Sequence, residues 1–396
     1  MKTVNDFDFA GKKALVRVDF NVPQDEQLRV TDATRIAAVK PTVEKILNDG
    51  GAVILMTHLG RPKGENTDKF SLRNIIDEVS RVLGREVIFC DNCTDARAQE
   101  LSDKLQPGEI LLLENLRFHK EEEAGDSAFA EKLSKLGDIY VNDAFGTAHR
   151  KHASTAVIAE YFPENKCFGL LMAQELEAID KVLHKGEKPI TAILGGSKVS
   201  TKITIIENIL PKVDNLIIGG GMAFTFIKAK GGNIGSSLVE EDKLDLAQQI
   251  IAMAETQKVN VYLPVDVVAA DKFSEDTETQ ICDAYEIPDG WMGLDVGPQS
   301  NKLFHDVLLS SRTILWNGPL GVFEMKKFAE GTIKLGDSIA EATRLGAFSL
   351  VGGGDSVAFV KQFGYDDKVS YVSTGGGAML ESLEGKELPG VAAVNS

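Results

Sequence analysis

The stretch AILGGSKVSTK, residues 192–202, runs from an apolar strand through two glycines into lysines and hydroxyl side chains. Glycines followed by lysines and hydroxyls are typical of a turn that holds phosphate groups at the start of a helix. The spacing does not match the P-loop, which requires G-x-x-x-x-G-K-[ST]. The stretch therefore predicts a strand–turn–helix unit of an α/β protein, with a phosphate-binding turn of another kind.

Short β-branched runs alternate with helical patterns along the whole chain, which indicates a parallel α/β architecture. The first half has predicted strands at KALVRVDF (13–20), AVILMTHL (52–59), EVIFC (86–90), EILLLEN (109–115) and IYVNDAF (139–145). The second half has them at PITAIL (189–194), NLIIGG (215–220), NVYLPVDVV (260–268), RTILWNG (312–318), FSLVGGG (348–354) and VSYVSTGG (369–376). The segment 31–50 predicts a helix that Asp32 or Thr31 caps and Gly50 ends. This count favours two doubly wound, Rossmann-like parallel sheets.

A length of 396 residues favours two domains over a single core. The segment GLLMAQELEAIDKVLHKG (169–186) has Met172, Leu176, Ile179 and Leu183 at helical spacing. We therefore expect a linking helix at 171–186, a first domain at 1–170 and a second at 187–384. The alternative is a surface helix within one large domain.

The formal net charge of −16 argues against non-specific binding to nucleic acid or to an anionic membrane. The start, MKTVNDFDFAGKK, lacks the apolar region of a signal peptide, and no apolar run reaches about 18 residues. We therefore expect a soluble, cytoplasmic protein. Cys90 and Cys93 form a C-x-x-C with no second pair to complete a zinc site, which favours ordinary reduced thiols over metal or redox chemistry.

Charged and polar side chains follow the predicted strands of the first half, and Arg35 lies early in the first helix. Ligands of open α/β sheets bind beyond the carboxyl ends of the strands, where these side chains would gather. They are Asp19, Asn21, Arg35, His58, Arg61, Arg117, His149 and Arg150. The four arginines would repel one another unless an anion neutralised them, and the guanidinium fork suits phosphate and carboxylate oxygens. A small ligand with several negative charges is therefore predicted.

Each of these residues has an ordinary alternative role. Asp19 and Asn21 are also typical of turns in which the side chain bonds the local backbone. A single arginine after a strand is usually a solvated surface charge. His149 or His152 alone would be a structural hydrogen-bonding residue. The prediction of an anion pocket therefore depends on the whole set.

The strands of the second half end in glycine-rich segments: GGSKVSTK, GGGMAF, NGPLGVFE, GGGDS and TGGGAM. Glycines let backbone N–H groups approach phosphate oxygens, and the following helix dipole adds about 0.3–1 kcal/mol per anion. The dinucleotide fingerprint G-x-G-x-x-G is absent. These segments predict a second pocket, for phosphates.

Four charged residues of these segments have alternative interpretations. Lys198 and Lys202 are either surface lysines or phosphate ligands, since lysine at a helix start opposes the dipole unless a polyphosphate is bound. Asp355 is either a helix cap or a neighbour of Mg²⁺, which prefers one or two carboxylates plus phosphate oxygens. Glu324 is either solvated or bonded to ribose hydroxyls.

Nine motifs make the sequence resemble the phosphoglycerate kinase family: VDFNVP, THLGRP, LLLENLRF, DAFGTAHR, GGSKVSTK, IIGGGMAFTF, WNGPLGVFE, GGGDS and STGGGA. They stand in the family's order and span nearly the whole chain. The only variation, threonine for serine in THLGRP, precedes His58. The resemblance implies two Rossmann-like domains joined by a helical hinge, with the C-terminal tail, about 385–396, returning to the first domain.

The resemblance also implies the ligands and their contacts. The first domain would bind 3-phosphoglycerate or 1,3-bisphosphoglycerate through Asp19, Phe20, Asn21, Arg35, His58, Leu59, Gly60, Arg61, Arg117, His149 and Arg150. The second would bind ADP or ATP with Mg²⁺, the metal lying near Asp355. The nucleotide contacts would be Gly195, Gly196, Lys198, Lys202, Gly219, Gly220, Gly293, Leu294, Asn317, Pro319, Glu324, Gly353, Gly354, Asp355 and Ser356.

The implied reaction is reversible phosphoryl transfer between 1,3-bisphosphoglycerate and ADP. In the ATP-consuming direction the acceptor is a carboxylate, already ionised at neutral pH, so no general base is required. The enzyme must supply positioning and positive charge. Arg35 and Lys198 are the predicted catalytic residues, and a monomer is expected.

Two rival interpretations share the doubled α/β pattern. A two-domain NAD-dependent dehydrogenase requires the G-x-G-x-x-G that the sequence lacks. A non-catalytic two-lobed binding protein would need no second, nucleotide-type pocket, and a periplasmic one would carry a signal peptide. The sequence favours the kinase over both.

Overall fold

The computed structural model describes residues 1–396, which divide into two units. The first comprises Met1–Leu176 together with Glu387–Ser396, and the second comprises Glu177–Lys386. The division falls inside the helix Leu170–Leu183, which carries the apolar spacing noted in the sequence.

Parallel β-strands form the centre of each unit. The chain has the strands β1 Lys13–Arg17, β2 Ala52–Met56, β3 Val87–Cys90, β4 Ile110–Leu113, β5 Ile139–Asn142, β6 Lys166–Phe168, β7 Ile190–Leu194, β8 Asn215–Ile218, β9 Asn233–Ile234, β10 Asn260–Tyr262, β11 Asp266–Ala270, β12 Thr279–Asp283, β13 Glu286–Ile287, β14 Met292–Val296, β15 Thr313–Asn317, β16 Phe348–Val351 and β17 Tyr371–Val372. The first unit has a six-stranded sheet in the order β3-β4-β2-β1-β5-β6, and the second has one in the order β10-β8-β7-β15-β16-β17. All pairs within both sheets are parallel. The predicted pair of doubly wound α/β sheets is confirmed.

The chain has fifteen α-helices: α1 Thr34–Ala38, α2 Lys40–Asn48, α3 Ile76–Leu83, α4 Ala96–Lys104, α5 Lys120–Ala124, α6 Ser127–Ser134, α7 Leu170–Leu183, α8 Ile203–Ile209, α9 Met222–Ala229, α10 Leu244–Thr256, α11 Pro298–Ser310, α12 Glu330–Arg344, α13 Gly354–Gln362, α14 Gly376–Leu383 and α15 Pro389–Asn395. Short 3₁₀ helices lie at Val4–Asp6, Asp68–Phe70, Leu72–Asn74, Leu116–Phe118, Phe145–Thr147, Val157–Tyr161, Val199–Thr201, Leu210–Lys212, Glu241–Lys243 and Lys326–Phe328. None of the helices combines the length and the apolar character needed to cross a lipid bilayer.

The central strands are buried along their whole length. All five residues of β2, β7 and β15 are buried, as are all four of β4. Continuous apolar runs of this kind are expected where helices cover both faces of a parallel sheet. Each unit therefore has a core of its own, with Val16, Leu55 and Leu112 in the first and Ile193, Trp316 and Phe359 in the second.

The helix predicted at 31–50 is wrong in two details. The single helix expected at 31–50 is two helices, because Pro41 has no N–H to continue the ladder and the chain turns at Val39. The N-cap of the first helix is Ala33, not Asp32 or Thr31. Asp32 Oδ1 nevertheless accepts the N–H of Thr34 at 2.8 Å.

The predicted strand NVYLPVDVV is also two elements. β10 joins the parallel sheet, whereas β11 pairs antiparallel with β12 and β14 in a separate three-stranded sheet. Pro264 stands between them and cannot donate to a strand ladder. The sequence pattern did not predict this small sheet, which carries Gly293 and Leu294 on β14.

The last helix, α15, belongs to the first unit. Gly390 N–H donates to the carbonyl of Ala148 at 2.8 Å, and Asn142 Nδ2 donates to the carbonyl of Gly390 at 3.3 Å. Val394 on the same helix is buried. These contacts tie the end of the chain to the loop that follows β5.

We expect Val394→Ala to destabilise the first unit by about 1–2 kcal/mol, since it removes two buried methyl groups. Val391→Ala, on the same helix at a half-buried position, is the matched control and should cost less. Urea unfolding of both variants measures the difference. Equal losses would show that α15 does not pack in this way.

Candidate functional site

The predicted anion ligands of the first unit lie at one edge of its sheet. The strands β4, β2, β1 and β5 are neighbours and run parallel, so the loops after them emerge side by side. These loops carry Asp19 and Asn21, His58 to Arg61, Arg117, and His149 with Arg150. Arg35 lies on α1, which follows β1. The topology thus brings the predicted set to a single edge.

Arg35 is held in place by the loop after β1. Its Nη1 donates to both carboxylate oxygens of Asp19 at 3.2 Å and to the carbonyl of Asn21 at 3.0 Å. The Arg35 side chain is 37% exposed and that of Asp19 is 11% exposed. The turn role considered for Asp19 is present as well, since its Oδ1 accepts the N–H of Asn21 at 3.1 Å. Asp19 therefore orients Arg35 while leaving it accessible to a ligand.

Hydrogen bonds join three of the loops. Asn21 Oδ1 accepts the N–H of Gly60 at 2.8 Å, and Arg117 Nη1 donates to the carbonyl of Gly60 at 3.1 Å. Asn115 Nδ2 donates to the carbonyl of Leu59 at 2.7 Å. Gly60 has φ +65°, and a Cβ there would lie 2.3 Å from the ring of Phe70. The loop after β2 is therefore fixed by its neighbours in a form that requires glycine.

The predicted residues differ in exposure. Arg61 and Arg150 are exposed and form no salt bridge, whereas Arg117 is buried with its Nε 3.7 Å from Glu123 Oε1. His149 is half-buried. The side chain of Phe20 is fully buried, and its N–H donates to Thr57 Oγ1 at 2.8 Å, so Phe20 contributes to the core.

Two histidines among these arginines are neutral. Burial, together with the guanidiniums of Arg17 and Arg117, holds the pKa of His58 well below its usual value. Burial and the same two guanidiniums lower the pKa of His152 to about 4. Each imidazole therefore has one N–H donor and one acceptor nitrogen at neutral pH. His152 and Arg17 were outside the predicted set.

The glycine turns of the second unit meet at the centre of its sheet. β7 and β15 are neighbours at the point where the strand order reverses, the usual position of a ligand crevice in such sheets. Gly195 N–H donates to the carbonyl of Asn317 at 2.9 Å, and Gly196 N–H to that of Pro319 at 3.3 Å. Gly220 has φ +68°, and a Cβ there would lie 2.6 Å from the carbonyl oxygen of Gly196. The turns after β7, β8 and β15 therefore pack backbone against backbone.

A cavity of 240 Å³ opens over these turns, and its lining includes Gly195, Gly196, Ser197, Thr201, Lys202, Asn317, Gly318, Gly353, Gly354, Asp355 and Ser356. Lys202 Nζ donates to Asn317 Oδ1. Burial lowers the pKa of Lys202, while Asp355 acts to raise it. An ammonium, a helix start and glycine N–H groups at one cavity suit a phosphate ligand.

Asp355 lies in the first turn of α13, whose N-cap is Gly353. The capping role considered for Asp355 is therefore wrong, and its exposed carboxylate borders the cavity. Ser356 is buried, and its Oγ accepts the N–H of Gly318 at 2.6 Å. Ser356 thus joins α13 to the turn after β15.

The side chain of Lys198 is exposed and makes no hydrogen bond or salt bridge, while the backbone carbonyl accepts from Thr201 Oγ1 at 2.9 Å. Lys198 precedes the 3₁₀ turn Val199–Thr201, and α8 begins at Ile203. The free ammonium of Lys198 is therefore available to a ligand.

A larger, mostly apolar cavity of 520 Å³ continues from the smaller one, since both are lined by Gly196, Ser197 and Asp355. Of the predicted residues, Gly220, Gly293, Leu294, Pro319 and Glu324 also line it. Gly219 lines neither cavity, because it packs against Leu320. A cavity of this size and character suits an aromatic base.

Three large apolar side chains of this cavity were missed in the sequence. Leu238 and Phe273 line it although they are 51% and 60% exposed, and Phe224 packs against Gly293. A single apolar residue in a loop has no pattern that distinguishes it from a core or surface residue. Only their convergence on one cavity identifies them.

Comparison with known proteins identifies the family that the chain resembles. A family model described as phosphoglycerate kinase matches residues 4–386. A phosphoglycerate kinase of Porphyromonas gingivalis is 56% identical over 99% of both chains, and a cytosolic one of Triticum aestivum is 52% identical over 99% of this chain and 98% of the other. The solved phosphoglycerate kinase of Coxiella burnetii has a TM-score of 0.91 at 39% identity, covering 99% of this chain and 98% of the other. The resemblance seen in the sequence motifs is confirmed.

We expect the ring resonances of His152 to titrate near pH 4, because burial and the neighbouring guanidiniums disfavour its protonated form. NMR of the histidine side chains from about pH 3 to pH 8 measures this, since the range lies on both sides of the expected value. A His152 titration at its ordinary value would contradict the described burial.

Proposed function

Since this chain belongs to the phosphoglycerate kinase family, and so catalyses reversible phosphoryl transfer between 1,3-bisphosphoglycerate and ADP, we propose that each unit binds one of the two substrates. The enzyme is a phosphotransferase of glycolysis with a carboxyl group as acceptor. The phosphoglycerate would bind to residues 1–170, together with the C-terminal tail at about 385–396, and the nucleotide to residues 187–384. The linking segment would be 171–186.

The cationic edge of the first unit supports its role as the phosphoglycerate site. Arg35 is accessible, and Arg61 and Arg150 have no carboxylate partner in a chain whose net charge is −16. A phosphate and a carboxylate on one small ligand would neutralise these guanidiniums. His58, Arg117 and His149 would complete the site. This unpaired positive charge is the observation that carries the assignment.

The two connected cavities support a nucleotide site in the second unit. The apolar cavity would hold the adenine on Gly293 and Leu294, with Glu324 bonded to the ribose hydroxyls. The smaller cavity would hold the phosphates against Lys202 and the start of α13. The apolar part and the glycine-lined part thus correspond to the two chemical halves of ADP or ATP.

We infer that the nucleotide brings Mg²⁺ with it. No group of three or more His, Cys, Asp or Glu side chains can hold a metal ion alone. Mg²⁺ is usually held by one or two carboxylates plus phosphate oxygens, and Asp355 offers such a carboxylate at the phosphate cavity. The bound ion would neutralise phosphate charge during transfer.

The proposed catalytic work of the chain is electrostatic. The acceptor carboxylate of 3-phosphoglycerate is ionised at neutral pH, so no residue has to remove a proton. The transferring phosphoryl group carries charge that fixed cations stabilise. Arg35, oriented by Asp19, would supply such a cation at the phosphoglycerate, and the free ammonium of Lys198 would do so at the nucleotide.

We also infer that the enzyme acts in the cytoplasm as a monomer. The relative from Triticum aestivum is described as cytosolic, which supports this location. Sedimentation velocity at several protein concentrations tests the oligomeric state, and a concentration-dependent second species would contradict it.

A coupled assay of ATP formation from 1,3-bisphosphoglycerate and ADP tests the proposal as a whole. Activity should depend on Mg²⁺ and be lost when the ion is chelated. ADP titration followed by NMR should perturb residues of the second unit, and 3-phosphoglycerate those of the first. The reverse pattern would overturn the assignment of the two substrates.

Arg35→Ala should lower kcat by about 100-fold or more, the usual loss when one donor to a developing charge is removed. Affinity for ADP should stay unchanged, because Arg35 belongs to the other proposed site. Arg85→Ala, which removes an exposed arginine of the same unit, is the control and should keep full activity. An equal loss of ADP affinity would contradict the role of Arg35.

Lys198→Ala should depress kcat more than it weakens ADP binding, since the ammonium would act on the transition state. Lys230→Ala makes the same charge change at an exposed position of the same unit and should have little effect. Steady-state kinetics with isothermal titration of ADP separates the two quantities. A change in affinity alone would reject the catalytic role.

A further inference from the structure

Behind the cationic edge of the first unit lies a row of buried polar side chains, Arg17, Ser154 and Glu122, here called the Arg17 relay. All three are fully buried, and they come from β1, the loop before Val157–Tyr161, and α5. None of them belongs to the residues assigned above to either substrate. A charged pair inside a protein is costly unless each partner is well bonded, so its presence requires an explanation.

The hydrogen bonds of the relay run in one direction. Arg17 Nε donates to Ser154 Oγ at 2.8 Å, and Ser154 Oγ donates to Glu122 Oε1 at 2.5 Å. A guanidinium cannot accept, so the serine hydroxyl must turn its proton towards the carboxylate. Glu122 Oε2 also accepts the N–H of Ser154 at 3.0 Å. The hydroxyl thus connects a buried cation to a buried anion that form no direct salt bridge.

The other end of Arg17 contacts His58. Arg17 Nη2 lies 3.3 Å from His58 Nδ1, and Nη1 donates to the carbonyl of Val18. Because the guanidinium only donates, Nδ1 of His58 must be the acceptor. A neutral imidazole has a single N–H, which is therefore on Nε2. The charged side chains with the largest effect on the pKa of this imidazole are the guanidiniums of Arg17, Arg117 and Arg35.

We propose that Arg17, held by Ser154 and Glu122, is a positioning residue that sets the tautomer and the orientation of His58, so that Nε2–H is the donor presented to the anionic substrate. This inference rests on the proposed role of His58 at the phosphoglycerate site. The relay acts only through His58, and Arg17, which is fully buried, does not itself contact the ligand.

The decisive variant is Ser154→Ala, which removes the hydroxyl and leaves Arg17 Nε and Glu122 Oε1 without their shared partner. Ser102→Ala is a matched control in the same unit: Ser102 is also fully buried, its Oγ donates to the carbonyl of Leu136 at 2.6 Å, and it accepts from Lys13 Nζ at 3.2 Å. Both changes remove one bridging hydroxyl beside a cation. Ser154→Thr retains the hydroxyl and should restore the behaviour of the unaltered enzyme.

The first measurement is ¹⁵N NMR of the His58 ring in the enzyme without substrate. We expect a protonated Nε2 and an unprotonated Nδ1 in the unaltered enzyme and in Ser102→Ala, and a mixture of tautomers in Ser154→Ala. A protonated Nδ1 in the unaltered enzyme overturns the proposal even if Ser154→Ala fails to fold. This arm needs no substrate, so its failure is separate from any failure of the proposed function.

The second measurement is kinetic. In Ser154→Ala, KM for 3-phosphoglycerate should rise about tenfold, the effect of one hydrogen bond to a charged ligand, while KM for ATP stays unchanged. Ser102→Ala should alter neither constant. If the tautomer changes while KM for 3-phosphoglycerate does not, the relay has no effect on substrate binding and the proposal is overturned. If KM for 3-phosphoglycerate and KM for ATP both rise, the role of the relay is merely structural and the proposal is overturned as well.

Discussion

The parallel pairing of the strands is the constraint on which both candidate sites depend. Parallel strands place all their carboxyl ends on one edge of a sheet, so residues far apart in the chain become neighbours there. In the first unit this gathers Asp19, His58, Arg117 and Arg150, which span more than a hundred positions. In the second it gathers the glycine turns after β7, β8, β15 and β16. An antiparallel order would scatter the same residues to opposite edges.

The candidate sites of the two units have different sources of positive charge. In the first unit the positive charge is on guanidinium side chains, and Asp19 orients that of Arg35. The second uses backbone N–H groups and a helix start, which carry partial charges and need glycine for close approach. Because the net charge of the chain is −16, both arrangements are local regions of positive potential on a protein that is negative overall.

The sequence predicted the large elements well because, in an α/β protein, continuous apolar runs of this length form the buried strands of a parallel sheet. The runs AVILM and ILLL are buried throughout and lie in the parallel sheet, as their patterns indicate. The errors occurred where a proline breaks a pattern: Pro41 divides the first helix and Pro264 divides a strand between two sheets. Local pattern cannot show which sheet a short strand joins, since that choice is made by long-range pairing.

Taken alone, the sequence determined the α/β class, the family, the glycine turns and the charged residues after each strand, because these features depend on local order and spacing. The tertiary structure decided what no spacing encodes. It placed Phe273 and Leu238 at one cavity. It made Asp355 a residue of the first helical turn instead of a cap. It also brought buried Arg17 into contact with His58 and Ser154, and Ser154 into contact with Glu122. The residues of each contact are more than 30 positions apart, so only the packing of separate elements can bring them together.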